Sequence, residues 1–401
     1  MSLNSPWRAD FPALAALEAE GQTYLDSAAT AQKPQALLDA LLGYYAKGAA
    51  NVHRAQHLPG ERATRAFEDT RAKVAHWLNA ASANDIVFTR GATEALNLLA
   101  YGLEELFQPE DEIVISALEH HANLLPWQQL AHRRGLKLRV LPLDSSGLID
   151  VQAARQLIGP RTRLLAVSQL SNVLGGWQPL SQLLALASAQ GALTVVDGAQ
   201  GVVHGRHDMQ AIGCDFYVFS SHKLYGPDGV GVLYGRAAAW QQLKAWQFGG
   251  EMVLQADYHS TKFRPAPLGF EAGTPAIAGV IGLGATLNYL DGLDATAIAR
   301  HEAALHAELL AGLTARHGVR LLGEPQLALA SFVVEGVHSA DLAHLLTEQG
   351  IAVRAGHHCA MPLLKSLGLP GAIRVSLGLY NDGSDLQRFF SALDQALELL
   401  R

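Results

Sequence analysis

Two short segments hold the residues with the greatest chemical capacity. Val-Val-Asp-Gly-Ala-Gln ends an apolar run on Asp197, and Tyr-Val-Phe-Ser-Ser-His-Lys-Leu-Tyr-Gly-Pro carries Lys223 just past another. A pyridine-ring cofactor needs an amine to condense with its aldehyde and a carboxylate to keep its ring nitrogen protonated. Asp197 at a strand end suits the second task, because open α/β sheets collect ligands there. Taken singly, the two residues read more simply as a helix-capping aspartate and a surface lysine. Their neighbours decide against that.

Thr-Arg-Gly-Ala-Thr-Glu-Ala-Leu joins an expected strand to an expected helix and puts Gly91, Ala92 and Thr93 at the helix start. Backbone N–H groups and the Thr93 hydroxyl can hold a phosphate there. Ser220 and His222, beside Lys223, can add hydrogen bonds. Glu-His-His-Ala-Asn (119–123) offers an imidazole able to stack on a ring, or else a solvated loop pair. Asn172, in Ser-Asn-Val-Leu-Gly-Gly, can donate to a ring hydroxyl or a substrate carboxylate.

Cys359 lies in a Gly-His-His-Cys loop. A nucleophilic thiol must reach its target and spend time as thiolate, which neighbouring cations favour. Adjacent histidines and a cysteine rarely close on one metal ion, and no second Cys/His cluster exists, so no metal site is expected. The only other cysteine, Cys214, reads as a buried structural residue.

The elements that must position these groups follow from periodicity. Between Asp85 and Tyr234 short apolar runs at 86–89, 112–116, 137–141, 164–168, 193–196, 216–220 and 231–234 alternate with helical stretches at 94–107, 124–134 and 180–190. That pattern indicates a mostly parallel sheet covered on both faces. Helices over 8–19, 277–290, 295–316, 339–349 and 384–400 and apolar segments at 329–334, 351–354 and 373–376 read as a smaller α+β unit. The fold class is α/β, with a large cofactor domain over 21–285 and a small domain formed by 1–20 and 286–401.

The chain resembles the class-V aminotransferase branch of fold-type-I pyridoxal-phosphate transferases, and within it the group II cysteine desulfurases of the SufS-like and cysteine sulfinate desulfinase type. The motifs run in the family's order: Tyr-Leu-Asp-Ser-Ala-Ala-Thr (24–30), Asn-Val-His-Arg (51–54), Glu-Ala-Gly-Thr-Pro (271–275), Arg-Ala-Gly-His-His-Cys-Ala (354–360) and Arg-Val-Ser-Leu-Gly-Leu-Tyr-Asn (374–381). The resemblance implies pyridoxal 5'-phosphate bonded to Lys223, with Asp197 on its ring nitrogen, His120 stacked on the ring and Gln200 on the ring oxygen. It implies that Thr93, Ala92, Ser220 and His222 hold the phosphate, with Thr274 reaching it from the other subunit of a homodimer. Arg374, Asn172 and Arg354 would bind the substrate. Ala92 stands where the family often has threonine, and Asp228 where it often has threonine in the Gly-Pro-x-Gly turn.

The implied reaction converts L-cysteine to L-alanine, with Lys223 or His120 moving the α-proton and Cys359 left as a persulfide. The sulfur then passes to a small acceptor of the SufE/CsdE type, as in iron–sulfur cluster assembly. Cysteine sulfinate and selenocysteine are further substrates of the group. Another class-V reaction, such as a selenocysteine lyase, a kynureninase-like hydrolase or an aminotransferase, would use the same Lys223 and Asp197 without a persulfide. A non-catalytic cofactor-binding scaffold is the alternative outside enzymes.

Bulk properties fit this class. Thirty basic residues against 37 acidic give a formal charge of −7, which disfavours nucleic acid. Two cysteines make no disulfide framework, and no apolar run reaches membrane-spanning length. No membrane partner and a cytoplasmic location are expected.

Overall fold

The computed structural model describes residues 3–54 and 56–400, so residues 1, 2, 55 and 401 of the expected domain spans lie outside it. The central sheet has seven strands in the spatial order Ile86–Thr89, Gly231–Gly235, Phe216–Ser220, Leu193–Asp197, Thr162–Ser168, Glu112–Ser116 and Lys137–Leu141. The last five in that order pair in parallel, and Gly231–Gly235 alone runs against both of its neighbours. Strands that are apolar on both faces can lie only between two helical layers, and 112–116, 216–220 and 231–235 are buried throughout. The edge strand Lys137–Leu141 is the exception, and its exposed Lys137 and Arg139 discourage further pairing.

Helix Ile277–Asp291 packs on Gln35–Ala46 and Leu58–Trp77. Two glycines permit this close approach: a Cβ on Gly282 would sit 2.6 Å from Leu37 Cδ1, and one on Gly284 would sit 2.3 Å from Thr70 Oγ1. Neither of the two partner helices was expected from the sequence.

The second sheet is antiparallel, in the order Val319–Leu321, Leu329–Val334, Ala372–Ser376 and Arg354–Gly356. Leu305 and Leu309 of helix Ala295–Thr314, Leu346 of Ser339–Glu348 and Phe389 of Gly383–Leu400 bury against its Phe332 and Val375. The single segment expected at 351–354 is two strands. Ile351–Ala352 pairs in parallel with Thr23–Tyr24, whereas Arg354–Gly356 joins the antiparallel sheet.

The helix expected at 8–19 splits into a 3-10 turn, Arg8–Asp10, and a helix, Pro12–Ala19. Phe11 between them leaves helical geometry (φ −113°, ψ 86°) ahead of proline. Its ring packs on Tyr225, Tyr289 and Tyr380. The helix expected at 94–107 spans Ala92–Gly102 and gives way to a 3-10 turn at Glu104–Leu106. Among the described residues no helix is long and apolar enough to cross a membrane.

Candidate active site

A cavity of about 300 Å³ opens at the C-terminal ends of the parallel strands, where they meet the second sheet. Every site residue expected from the sequence lines it except Thr274. Asp197 ends the 193–197 strand and is 6% exposed. Its Oδ1 accepts the Ala199 N–H at 3.0 Å. Burial pushes this carboxyl above its usual range, against the pull of that N–H and of Lys223.

Lys223 closes a 3-10 turn, Ser221–Lys223, directly after the 216–220 strand. The turn is held by the Ser221 amide on Val230 O at 3.0 Å and the Gly226 amide on Ser221 O at 2.9 Å. Ala31 and Lys33 also donate to His222 O, at 3.0 and 3.1 Å. Burial lowers the Lys223 ammonium to about 8, partly offset by Asp197. A lysine so shifted carries an appreciable fraction of neutral amine near pH 7.

On one wall the Ala92 N–H donates to Ser220 Oγ at 2.8 Å at the start of helix Ala92–Gly102. The close approach needs glycine, since a Cβ on Gly231 would lie 2.4 Å from Gly91 Cα. Thr93 is exposed on the first turn, and burial and Lys223 lower His222 to about 4. Thr274 is exposed and borders a separate concavity with Thr89, Arg90 and Glu94.

His120 Nδ1 accepts the Ala122 N–H at 3.0 Å, so its proton sits on Nε2. Burial, then Lys223, lowers this imidazole to about 3, which keeps it neutral. Gln200 donates to Ala28 O at 2.9 Å.

Arg374 is 3% exposed and holds Asn172 O at 3.1 Å and Asp26 Oδ1 at 3.0 Å, while its buried Nε has no partner. Arg354, exposed, reaches Asp26 Oδ2 at 3.7 Å. Desolvation lowers the Arg374 guanidinium, and Asp26 opposes it. A buried planar fork with an unspent N–H is suited to a small carboxylate.

Cys359 is exposed and borders both this cavity and a groove beside it lined by Tyr101, His121 and Arg133. His358 and Cys359 both have left-handed backbones, φ 51° and 54°, costly for residues with a Cβ. Surrounding bonds hold the loop: His121 N on Cys359 O at 2.7 Å, Asn172 Nδ2 on His358 O at 2.9 Å and His358 Nε2 on Ala372 O at 3.1 Å. Cys214 is buried at 1%, and burial pushes its thiol up to about 12. No His/Cys/Asp/Glu group among the described residues could hold a metal.

Two residues of the site had no role assigned from the sequence. Asp26, inside Tyr-Leu-Asp-Ser-Ala-Ala-Thr, sets both arginines. Glu119, inside Glu-His-His-Ala-Asn, anchors the His120 turn. Membership of a motif was their only signal.

The profile of the aminotransferase class-V family matches residues 23–389. A probable cysteine desulfurase of Pseudomonas putida is 78% identical over 397 residues, covering 99% of both chains, and one of Pseudomonas aeruginosa is 71% identical over the full length of both. The crystal structure of the cysteine desulfurase CsdA from Escherichia coli superposes with a TM-score of 0.93 at 44% identity, covering 98% of each chain. An apo cysteine desulfurase from Thermococcus onnurineus superposes at 0.92 and 36% identity, covering 98% of this chain and 97% of its own. The chain belongs to the aminotransferase class-V family.

Proposed function

We propose that this chain is a pyridoxal-phosphate-dependent cysteine desulfurase. One observation carries the reading: a single cavity is bordered by a depressed lysine, a buried strand-end carboxylate, a neutral imidazole, a buried arginine and an exposed thiol. The full-length similarity to named cysteine desulfurases supports the same choice.

The residues present fit pyridoxal phosphate. Lys223 would bond it, with Asp197 for its ring nitrogen, His120 for its ring face and Gln200 for its ring oxygen. Ala92, Thr93, Ser220 and His222 would hold its phosphate. When bound, the cofactor supplies an electron sink next to the substrate α-carbon. Arg374, with Asn172 and Arg354, receives the substrate carboxylate. Lys223, neutral in part, moves the α-proton, and the His120 Nε2–H stays a donor.

The Cys359 thiolate attacks the substrate sulfur. An S–S bond forms, the substrate C–S bond breaks, and its electron pair stays with carbon, which takes a proton. Thiol plus cysteine becomes persulfide plus alanine, so no external oxidant is needed. Thr274 is exposed and borders a concavity other than the Lys223 cavity of its own chain, which fits service to the partner subunit of a homodimer. The exposed position of Cys359 suits delivery to a small acceptor protein of the SufE/CsdE type.

The test is Cys359→Ala, assayed for alanine from L-cysteine. The variant should keep the cofactor's visible absorbance and lose alanine release. Undiminished turnover would remove the desulfurase reading in favour of another class-V reaction.

A further inference from the structure

Glu119 precedes His120 and is 3% exposed. Its Oε1 accepts the Ser168 amide at 3.0 Å and the Ser116 hydroxyl, and its Oε2 accepts Ser168 Oγ at 2.6 Å and Asn123 Nδ2 at 2.7 Å. The Asn123 amide is not free to flip. Trp127 Nε1, a donor only, donates to Asn123 Oδ1 at 2.9 Å and so turns Nδ2 towards Glu119. One obligatory N–H therefore points at each carboxyl oxygen. A glutamine would set its own NH2 against one of them. The surroundings specify a carboxyl group here, not an amide.

The partners show what this group joins. Ser116 and Ser168 are the last residues of adjacent parallel strands, and Ser168 pairs in register with Asp197. Asn123 belongs to the 3-10 turn His121–Asn123, capped by His120 itself. Burying a carboxyl is costly, and burial pushes this one up to about 7 despite four hydrogen bonds. A purely apolar anchor would avoid that cost but would not fix the turn's direction.

We propose that Glu119 is a positioning residue that acts through His120, riveting the imidazole's turn to two strand ends beneath the cofactor cavity. This rests on the pyridoxal-phosphate reading above. The rivet also reaches the thiol loop, because the His121 amide of the same turn holds Cys359 O.

The test is a donor–acceptor swap: Glu119→Gln, Asn123→Asp and the double variant, each made with His120 and with His120→Ala. In the double variant the introduced glutamine accepts the Ser168 amide through its Oε1. Its NH2 donates to Ser168 Oγ and to the introduced aspartate, which still accepts from Trp127. The readouts are the visible circular dichroism of the bound cofactor, its affinity from titration of apo-protein, and single-turnover alanine formation. Each single variant should lose about tenfold in turnover, the size of one hydrogen bond to a charged group, with altered dichroism. The double variant should recover both, and in the His120→Ala background the swap should leave dichroism unchanged.

A double variant no better than Glu119→Gln overturns the proposal. So does a change confined to melting temperature, or an equal loss with and without His120. If the single variants do not fold, Ser116→Ala removes one donor to Glu119, together with the long Leu118 N–H contact at 3.4 Å, and should shift dichroism in the same direction; an unshifted spectrum overturns the proposal. Failure of the unmodified protein to bind pyridoxal phosphate identifies instead a failure of the functional reading, and the proposal falls with it.

Discussion

The backbone N–H of His121 donates to the carbonyl of Cys359 at 2.7 Å. The turn carrying the cavity's imidazole thus also fixes the thiol, although the two residues belong to different sheets' loops. His121 adds a second link, since its Nε2 accepts the Met361 N–H at 3.2 Å. These bonds help to hold the left-handed backbone of His358 and Cys359.

His121→Ala keeps the first link and removes the second. The expected cost in global stability is about 1 kcal/mol. Amide hydrogen exchange over residues 359–361 should accelerate well beyond that of the 216–220 strand. Unchanged exchange in the loop would show that the imidazole does not restrain it.

Lys223 offers a pH-dependent prediction. With its pKa lowered to about 8 by burial, about a tenth of its amine is neutral at pH 7, against about one part in three thousand for an ordinary lysine. Only the neutral amine attacks an aldehyde. The rate of pyridoxal phosphate uptake by apo-protein should therefore rise about tenfold between pH 6 and 7 and flatten above about pH 8. A stopped-flow profile still climbing at pH 10 would contradict the depressed value.

The strand-end positions of Lys223 and Asp197 were legible in the sequence because each falls at the end of an apolar run or just past it. The order of the sheet's strands was not, because it depends on crossovers that span tens of residues. Asp26 was invisible for the same reason: it meets Arg374, 348 positions away. Glu119 escaped notice because its partners are two serines and an asparagine, common residues that become a specific clamp only when two strand ends lie side by side. Helix Leu58–Trp77 was hidden by the Leu-Pro-Gly at its start, which resembles a turn yet sits in a first turn that tolerates proline.

Asp26→Ala would strip the buried Arg374 of the carboxylate it bonds. An unpaired buried charge costs about 3 kcal/mol or more, and urea unfolding of apo-protein should show a loss of that size. Asp26→Asn keeps an acceptor of the same shape, so its loss should be smaller, with the remaining effect appearing as a raised KM for cysteine. A stability change within about 0.5 kcal/mol in the alanine variant would show that solvent or another group compensates the guanidinium.

His358 makes the acid limb of stability testable. Burial, with Arg374 next, lowers its imidazole to about 3, and the residue is 6% exposed. An unfolded histidine titrates near 6.5, so below that pH the unfolded chain binds a proton that the folded chain refuses. The histidine's contribution is therefore complete above pH 6.5 and is lost as pH falls towards 3, at up to about 1.4 kcal/mol per pH unit. His120 and His222, also lowered, act in the same direction. Glu119, raised to about 7, acts oppositely between its unfolded value and pH 7 and offsets part of their contribution. Comparing His358→Asn with the parent cancels those shared contributions. Asparagine keeps a donor for Ala372 O and does not titrate, so the difference in stability between the two proteins should move in the variant's favour as pH drops from 6.5 to 4.5. A pH-independent difference, measured by urea unfolding across that window, would mean that His358 takes up its proton in the folded state and that the loop opens to let it do so.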